Sequence, residues 1–527
     1  MSAWEPLRHR AFRILFIAQF ASNVGTWMQT VGAQWLMGDL GGGALQVALV
    51  QTATSLPIFL LVLPSGALGD ILDRRRVLLA SQSVMLVSAG LLAALTASGA
   101  MTPWLLLGLT FAVGSGQALA IPSWQAIQPE LVPRAQIPQS AVLNGANFNV
   151  ARAVGPAIGG LLISGVGAQA TFALNALSFV GVLCALLLWG RPADRRALGV
   201  EHLRAAIGAG ARYVRNAPLL RVVLWRSTLF MTFASALWAL LPVVARGPLE
   251  LGADGYGLLF ASVGIGAVTG ALLLPWLRSR LDVNLLVAMA SGVFAAACLV
   301  VGLVELTGAV VAALVAAGMA WIAVLSSLNA SAQLLLPSWT RARGLAFYTL
   351  TFMGAQAVGS VLWGTLAGLV NLETAFSVAA AGLLIGPALG RRRLRLTRSD
   401  LDLEPTAVWG EPHLTFDASP DDGPVLVTVE WRVREQDADA FQAAMRPVER
   451  VRRRTGATRW GLFQDGEDPE RFLETFTVAT WLERQRQHLE RVTVRDDELE
   501  ARARELTVDG EPPRVRHLLA AYRGPHG

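Results

Sequence analysis

One arginine stands where a charge is least expected. Arg152 lies in the run Asn144-Gly-Ala-Asn147-Phe-Asn149-Val-Ala-Arg152-Ala-Val-Gly155-Pro156-Ala-Ile-Gly159-Gly160, about a dozen residues into a stretch apolar enough to cross a bilayer. A cation inside a span costs at least about 2.5–3.5 kcal/mol on insertion scales, so it needs a water-filled cavity or an acceptor. Asn149 sits three residues earlier on the same face, and an anionic or polyhydroxylated substrate suits the pair. The alternative is a structural cation that snorkels or pairs towards a helix end. A second polar feature is the stripe Gln19, Asn23, Thr26, Thr30 and Gln34, whose steps of four, three, four and four keep one helical face. In hydrocarbon such groups are unsatisfied unless they meet water or other helices. The stripe is expected to line a substrate cavity, against the alternative of plain interhelical hydrogen bonds at about 0.6 kcal/mol each. Gln51, Thr54, Ser55, Thr228, Thr232, Ser235, Trp238 and Gln356 are candidates to complete the cavity. Trp27, Trp35, Trp238 and Trp321 offer surfaces on which a large substrate could stack, although Trp is also common at membrane interfaces.

The acids are placed differently. No Asp or Glu stands mid-span: Asp39, Asp70, Glu305 and Glu373 lie near span ends, and Asp39 is the candidate for proton coupling. Gly41-Gly-Gly43 is a turn without the Lys or frame of a phosphate loop, so ATP-driven transport is not indicated. Cys184 and Cys298 form neither a disulfide framework nor a metal spacing; no metal and no cofactor is expected.

The elements that must position these groups follow from composition. Of 527 residues, 53% are hydrophobic and 16% charged, and the mean hydropathy is +0.47. That excludes an ordinary soluble enzyme and points to a polytopic membrane protein. At about 20 apolar residues per span, twelve helices are expected, at 12–36, 45–69, 77–97, 103–121, 139–164, 171–189, 220–244, 256–276, 284–304, 309–335, 343–369 and 374–390. Every one of the 44 cationic residues is Arg. Residues 1–399 hold 26 Arg against 12 Asp/Glu, net +14, and residues 400–527 hold 18 against 26, net −8. The pI of about 10.2 therefore averages two unlike parts, and no nucleic-acid partner is implied. Alternate loops carry the Arg residues, while the opposite set holds only Arg246, which puts both termini in the cytoplasm. A constant shift of 204 residues superimposes Gly66 on Gly270, Arg74 on Arg278, Gly114 on Gly318, Gly155 on Gly359 and Gly160 on Gly364, the mark of a duplicated six-helix unit. The expected divisions are a first half at 1–190, a linker at 191–219, a second half at 220–395, a tether at 396–422 and a soluble module at 423–524.

The loop Gly66-Ala-Leu-Gly-Asp70-Ile-Leu-Asp73-Arg74-Arg75-Arg76 resembles the cytoplasmic signature loop of the major facilitator superfamily. Ile71 departs from its usual basic residue and Asp73 from its usual Gly. The Gly-Pro run at 155–160 resembles the motif that exporters of this superfamily carry in helix five, and the preceding Asn…Asn…Arg run is similar to bacterial siderophore exporters of the enterobactin type. The Arg that drug–proton antiporters place in helix four is missing from Phe111-Ala-Val-Gly114-Ser-Gly116-Gln117. The resemblance implies the all-α major facilitator fold with two six-helix halves. It also implies export of a small molecule, such as a siderophore or drug-like compound, across the inner membrane by proton-coupled alternating access. It assigns gating roles to Gly66, Asp70, Arg74 and Arg75; Gly155, Pro156 and Gly159 are gating candidates, with close packing as the open alternative.

The acidic tail reads strand at 425–433, helix at 437–454, strands at 458–463 and 472–478, a charged helix at 481–506 and a strand at 516–522. That order is a ferredoxin-like α+β pattern and resembles the dimeric α+β barrels that include antibiotic-biosynthesis-type monooxygenases. No catalytic motif accompanies it: His488 is read as solvated and Trp431 and Trp460 as packing residues, so homodimerisation is the sharper expectation. The rivals to a non-enzymatic exporter are a membrane-anchored monooxygenase-like enzyme and a transporter-like sensor.

Overall fold

The computed structural model describes residues 4–71, 73–189, 203–392, 396, 402–404, 406, 417–510 and 512–521. The chain forms two compact units. The first contains Met1–Val200, Leu224–Asn329 and Tyr348–Leu396; the second contains Glu201–Val223, Ala330–Phe347 and Thr397–Gly527.

Six helices make up the first half: α1 (Arg10–Asp39), α2 (Ala44–Ile71), α3 (Arg74–Ala97), α4 (Pro103–Ile127), α5 (Ile137–Val166) and α6 (Ala168–Leu188). A helix the sequence reading did not mark, α7 (Leu203–Asn216), follows in the linker. The second half is α8 (Pro218–Arg246), α9 (Ala253–Arg280), α10 (Val283–Leu303), α11 (Thr307–Leu334), α12 (Arg341–Leu369) and α13 (Leu372–Arg392). Among the described residues, ten helices, α2–α6 and α8–α12, are long and apolar enough to cross a membrane. Helix α1 has 30 residues, about 45 Å at 1.5 Å each, but its polar stripe lowers its hydropathy. The apolar part of α13 is the shorter Leu372–Ala388. Outward faces carry bare leucines such as Leu161, Leu272 and Leu369, a surface suited to lipid rather than water.

Local chemistry explains the helix ends. Asp73, one of the two residues that depart from the signature loop, caps α3 by accepting a 2.9 Å bond from the Arg76 amide. Helix α5 stops at Gly167, whose φ of +100° disfavours any side chain.

The glycines paired by the 204-residue shift occupy equivalent contacts in the two halves. A Cβ on Gly114 of α4 would meet Thr54 O of α2 at 3.0 Å, and one on Gly318 of α11 would run into Val263 O of α9. Gly155 of α5 abuts α1 at Trp27, and Gly359 of α12 abuts α8 at Thr232. Gly160 of α5 meets Gly257 of α9 across the halves, while Gly364 of α12 meets Ala48 of α2. The duplication thus persists as packing: α5 against α9 and α2 against α12 join the halves.

The second unit contains a four-stranded antiparallel sheet of β1 (Val425–Arg432), β2 (Arg459–Gln464), β3 (Arg471–Val478) and β4 (Arg514–Leu519), in the order β2-β3-β1-β4. Alternate residues Val425, Val427, Val429 and Trp431 face inward onto α14 (Ala438–Thr455) through Phe441, Met445 and Val448. The charged helix expected over 481–506 is broken into α15 (Trp481–Arg486), a wide turn at Gln487–Arg491 and α16 (Val494–Arg504). Thr493 and Asp496 form a reciprocal cap that starts α16 afresh. That turn corrects the reading of His488, which is 4% exposed. The tether is also tied down in part: Thr406 N donates to Val492 O, and Val494 N to Glu404 O. Within this unit α7 packs on α14. The Tyr213 hydroxyl donates to Leu335 O at 3.0 Å, its ring meets Trp339 edge-on, and Arg454 lies 5.9 Å over it.

Candidate functional site

A cavity of about 600 Å³ opens within the first unit, lined by α1–α5 of the first half and α8, α9, α11 and α12 of the second. Arg152, at the middle of α5, is 5% exposed. Its guanidinium carbon lies 5.7 Å from the Trp27 ring centre, 4.9 Å from Trp238 and 5.4 Å from Trp321. Each cation–π contact is worth about 0.5–2 kcal/mol, so the three together are of the same order as the insertion-scale cost of placing the charge there. No Asp, Glu or His lines the cavity among the described residues. Arg152 Nε and the indole N–H groups of Trp238 and Trp321 are all buried without a partner. Two indole donors and the Nε of the cation itself thus stand without acceptors, an arrangement that an acceptor-rich anion would satisfy.

The stripe on α1 divides. Gln19, Asn23, Thr26 and Thr30 line the cavity, as do Gln51, Thr54, Ser55, Trp238 and Gln356. Gln19 donates to Asn23 Oδ1, Asn23 to Asn147 Oδ1 and Asn147 to Phe16 O, which ties α1 to α5 by amides. Gln34 lies beyond the cavity floor: its amide donates to Trp238 O at 3.1 Å and accepts from the Tyr256 hydroxyl at 2.5 Å, leaving it 1% exposed. Asn149 also lies off the cavity, bonded to Gly145 O of its own helix. The helix turns about 100° per residue, so the face of α5 shared by Asn144, Asn147 and Phe148 leaves Asn149 on the far side of Arg152. The asparagines of the same run that reach the cavity are Asn144 and Asn147.

Sequence reasoning missed the α4 face of Gln117, Ile121, Trp124 and Gln128, which also lines the cavity. Steps of four, three and four betray it. The 204-residue shift is a further signal: it carries Gln117 to Trp321, Ile121 to Leu325, Phe148 to Phe352 and Arg152 to Gln356, and all eight line the cavity.

The cavity reaches the end of the bundle where α4 stops and α5 begins, at Gln128 and Asn144. The opposite end is closed by α1, α8 and α9. Arg246 donates to Asp39 Oδ1 at 2.8 Å and to Trp35 O at 3.1 Å, and its guanidinium lies 4.1 Å over the Trp35 ring. Trp35 stacks on Tyr256, and a Cβ on Gly160 would meet Ala253 O at 2.6 Å. Asp39, the sequence candidate for proton coupling, thus faces a cation at the closed end. Gly155, Gly159 and Pro156 lie in the close contacts of α5 with α1 and α9.

In the signature loop, Arg74 pairs with Glu130 at 2.8 Å and Arg75 donates to Leu186 O and Leu187 O at the end of α6, all within the first half. Gly66 and Asp70 fall on the backbone of α2; their side chains lie outside the described residues.

In the second unit, buried Arg452 binds Glu474 at 2.9 Å and Glu500 at 2.8 Å. Burial would lower its pKa, but the two carboxylates hold it above the ordinary value. His517 is pushed down to about 4 by burial, with Arg484 and His488 adding to the effect. Trp431 is buried in the core, and Trp460 donates to Glu474.

Comparison with known proteins gives a consistent setting. The profile of the transmembrane secretion effector family matches residues 1–524. The enterobactin exporter EntS of Escherichia coli O1:K1 is 28% identical over 385 residues, spanning 72% of this chain and 90% of that one. EntS of Citrobacter koseri is 27% identical over 384 residues, with the same coverage. Among solved structures, a variant of nucleoside transporter NupG gives a TM-score of 0.61 at 12% identity, covering 72% of this chain and 98% of that chain. A bacterial homologue of the iron transporter ferroportin in an inward-facing state gives 0.58 at 16%, covering 73% and 99%. At these identities the structures share the fold alone.

Proposed function

From the premise that the chain belongs to the transmembrane secretion effector family of major facilitator transporters, we propose that it exports an anionic small molecule, such as a siderophore or drug-like compound, by alternating access. Its relatives and fold are those of transporters, not enzymes. The observation that carries the anion reading is Arg152, held by three tryptophans in a cavity that no carboxylate lines among the described residues. Similarity to enterobactin exporters over most of the membrane part supports a siderophore as cargo.

In this reading the fold has twelve spans, α1 and α13 included, and both termini lie in the cytoplasm of a bacterial inner membrane, as the Arg-rich loops favour. The cavity then faces the cytoplasm, and Asp39–Arg246 and the α5–α9 contact form the outer closure. Rocking of the halves about Arg152 opens that closure. Gly155, Pro156 and Gly159 are the pivot surface on α5, and Gly66, Asp70, Arg74 and Arg75 bias the state in which the cytoplasmic side closes. Asp39 is the acid through which a proton would couple. The tail is a ferredoxin-like module, supported by its strand order, and it joins two copies of the chain.

Purified protein in proteoliposomes tests the core of this reading. Arg152→Ala should weaken enterobactin binding, read by quenching of tryptophan fluorescence, about tenfold or more, the scale of a hydrogen bond to a charged group at about 1.5–3 kcal/mol. Unchanged binding and unchanged efflux in that variant would remove Arg152 from the site.

A further inference from the structure

The cavity holds a positive charge and nothing to balance it. Arg152 is its one ionisable lining residue among those described, and the aromatic rings around it solvate the charge without neutralising it. The other charge pair on the closing surface, Asp39 with Arg246, sums to zero. The membrane potential therefore acts unequally on the two forms of the carrier. When the cavity opens to one side, Arg152 sits at that side's potential. An empty carrier that changes sides moves one positive charge through the field. A carrier loaded with a monoanion moves none.

We propose that this transporter is an electrogenic exporter of monoanions, driven by the membrane potential through the return of the empty, Arg152-charged carrier. The inference rests on the exporter reading above and replaces the proton with the potential as the driving force. Charge balances over one cycle: one anion leaves while the loaded form crosses as a neutral complex, and the unbalanced guanidinium crosses inward on the return. A potential negative inside favours that return. At 100 mV a unit charge is worth about 2.3 kcal/mol, which corresponds to about fifty-fold accumulation outside. No carboxylate in the cavity is needed, which agrees with its lining.

The test uses the full chain in proteoliposomes, with naphthalene-1-sulfonate as a probe that stays anionic at all working pH values. Right-side-out vesicles are loaded with the probe, and valinomycin with a potassium gradient sets the potential at equal pH. Net efflux should quicken severalfold at 100 mV inside-negative and ignore a pH gradient at zero potential. Exchange of labelled for unlabelled probe uses the loaded form alone and should not respond to potential. In Arg152→Gln the loaded form carries −1, so exchange should become potential-dependent. Arg152→Lys, which keeps the charge, should preserve the wild-type pattern at weaker affinity. A purely structural role for Arg152 would lower all rates without changing which step senses the field. Net efflux that follows pH and ignores potential would overturn the inference and leave the exporter reading standing. No probe flux under either gradient would overturn both.

Discussion

At the scale of single residues, the two arginines that break the pattern of the sequence are the informative ones. Arg246 is the exception in the set of loops that otherwise carries no Arg, and the structure gives it a partner, Asp39, and a platform, Trp35. Both side chains of that pair are more than a third exposed, so its contribution to stability is small, about 0–1 kcal/mol. Its use is positional, since it links α1 of one half to α8 of the other at the closed end. Asp39→Asn should leave the melting temperature nearly unchanged. It should also quicken labelling of a Thr30→Cys thiol by an impermeant reagent added from outside, by severalfold. Equal labelling rates would show that the pair does not hold the closure. Arg152 was legible as a charge inside a span, but its cage was not. Trp27, Trp238 and Trp321 belong to three different helices, and no spacing along the chain brings them together. Asn149 stands beside Arg152 by its three-residue spacing, but the cavity lies on the other flank of Arg152, where Asn144 and Asn147 stand.

At the scale of elements, apolar runs located the long helices well, because one bilayer thickness imposes one length. The parts that escaped are those without a long apolar run. Helix α7 lies in a polar linker, and the charged run at 481–506 looks continuous until the Thr493–Asp496 cap divides it. In the sheet, alternation fixed the inward face, with Val427 beside Phe476, but left open what the outer face meets. That face exposes Phe463 on β2 and Leu518 on β4, at 58% and 51%. Leu473 lies across from Phe463 and Leu426 across from Leu518. These four apolar residues, set among the Thr, Arg and Glu of the rest of that face, are where the proposed pairing of two copies would make its contact. Phe463→Glu with Leu518→Glu should convert a dimer of the full chain in detergent to monomer, as measured by light scattering. A wild-type protein already monomeric at micromolar concentration would dismiss the sheet as an interface.

At the scale of the whole molecule, the duplication organises the membrane part, but the site departs from it. Equivalent glycines make equivalent contacts in both halves, and the 204-residue shift relates lining residues in pairs. Yet Arg152 corresponds to Gln356, and the cage around the guanidinium draws Trp238 and Trp321 from the second half, where their counterparts in the first are Gln34 and Gln117. The charge is therefore supplied by the first half, while two of the three rings that hold it come from the second. These two contributions separate in a relocation experiment. Arg152→Gln alone should lose probe binding about tenfold or more and make exchange sensitive to potential. Adding Gln356→Arg returns one positive charge to the cavity from the opposite half. Exchange should then become insensitive to potential again, because the loaded form is neutral once more. Affinity should recover only in part, because the relocated guanidinium lacks the three indole rings and their contacts of about 0.5–2 kcal/mol each. Full recovery would mean that charge alone defines the site. A double variant that still behaves like Arg152→Gln would mean that the two halves do not present their α5 and α12 faces to one common ligand.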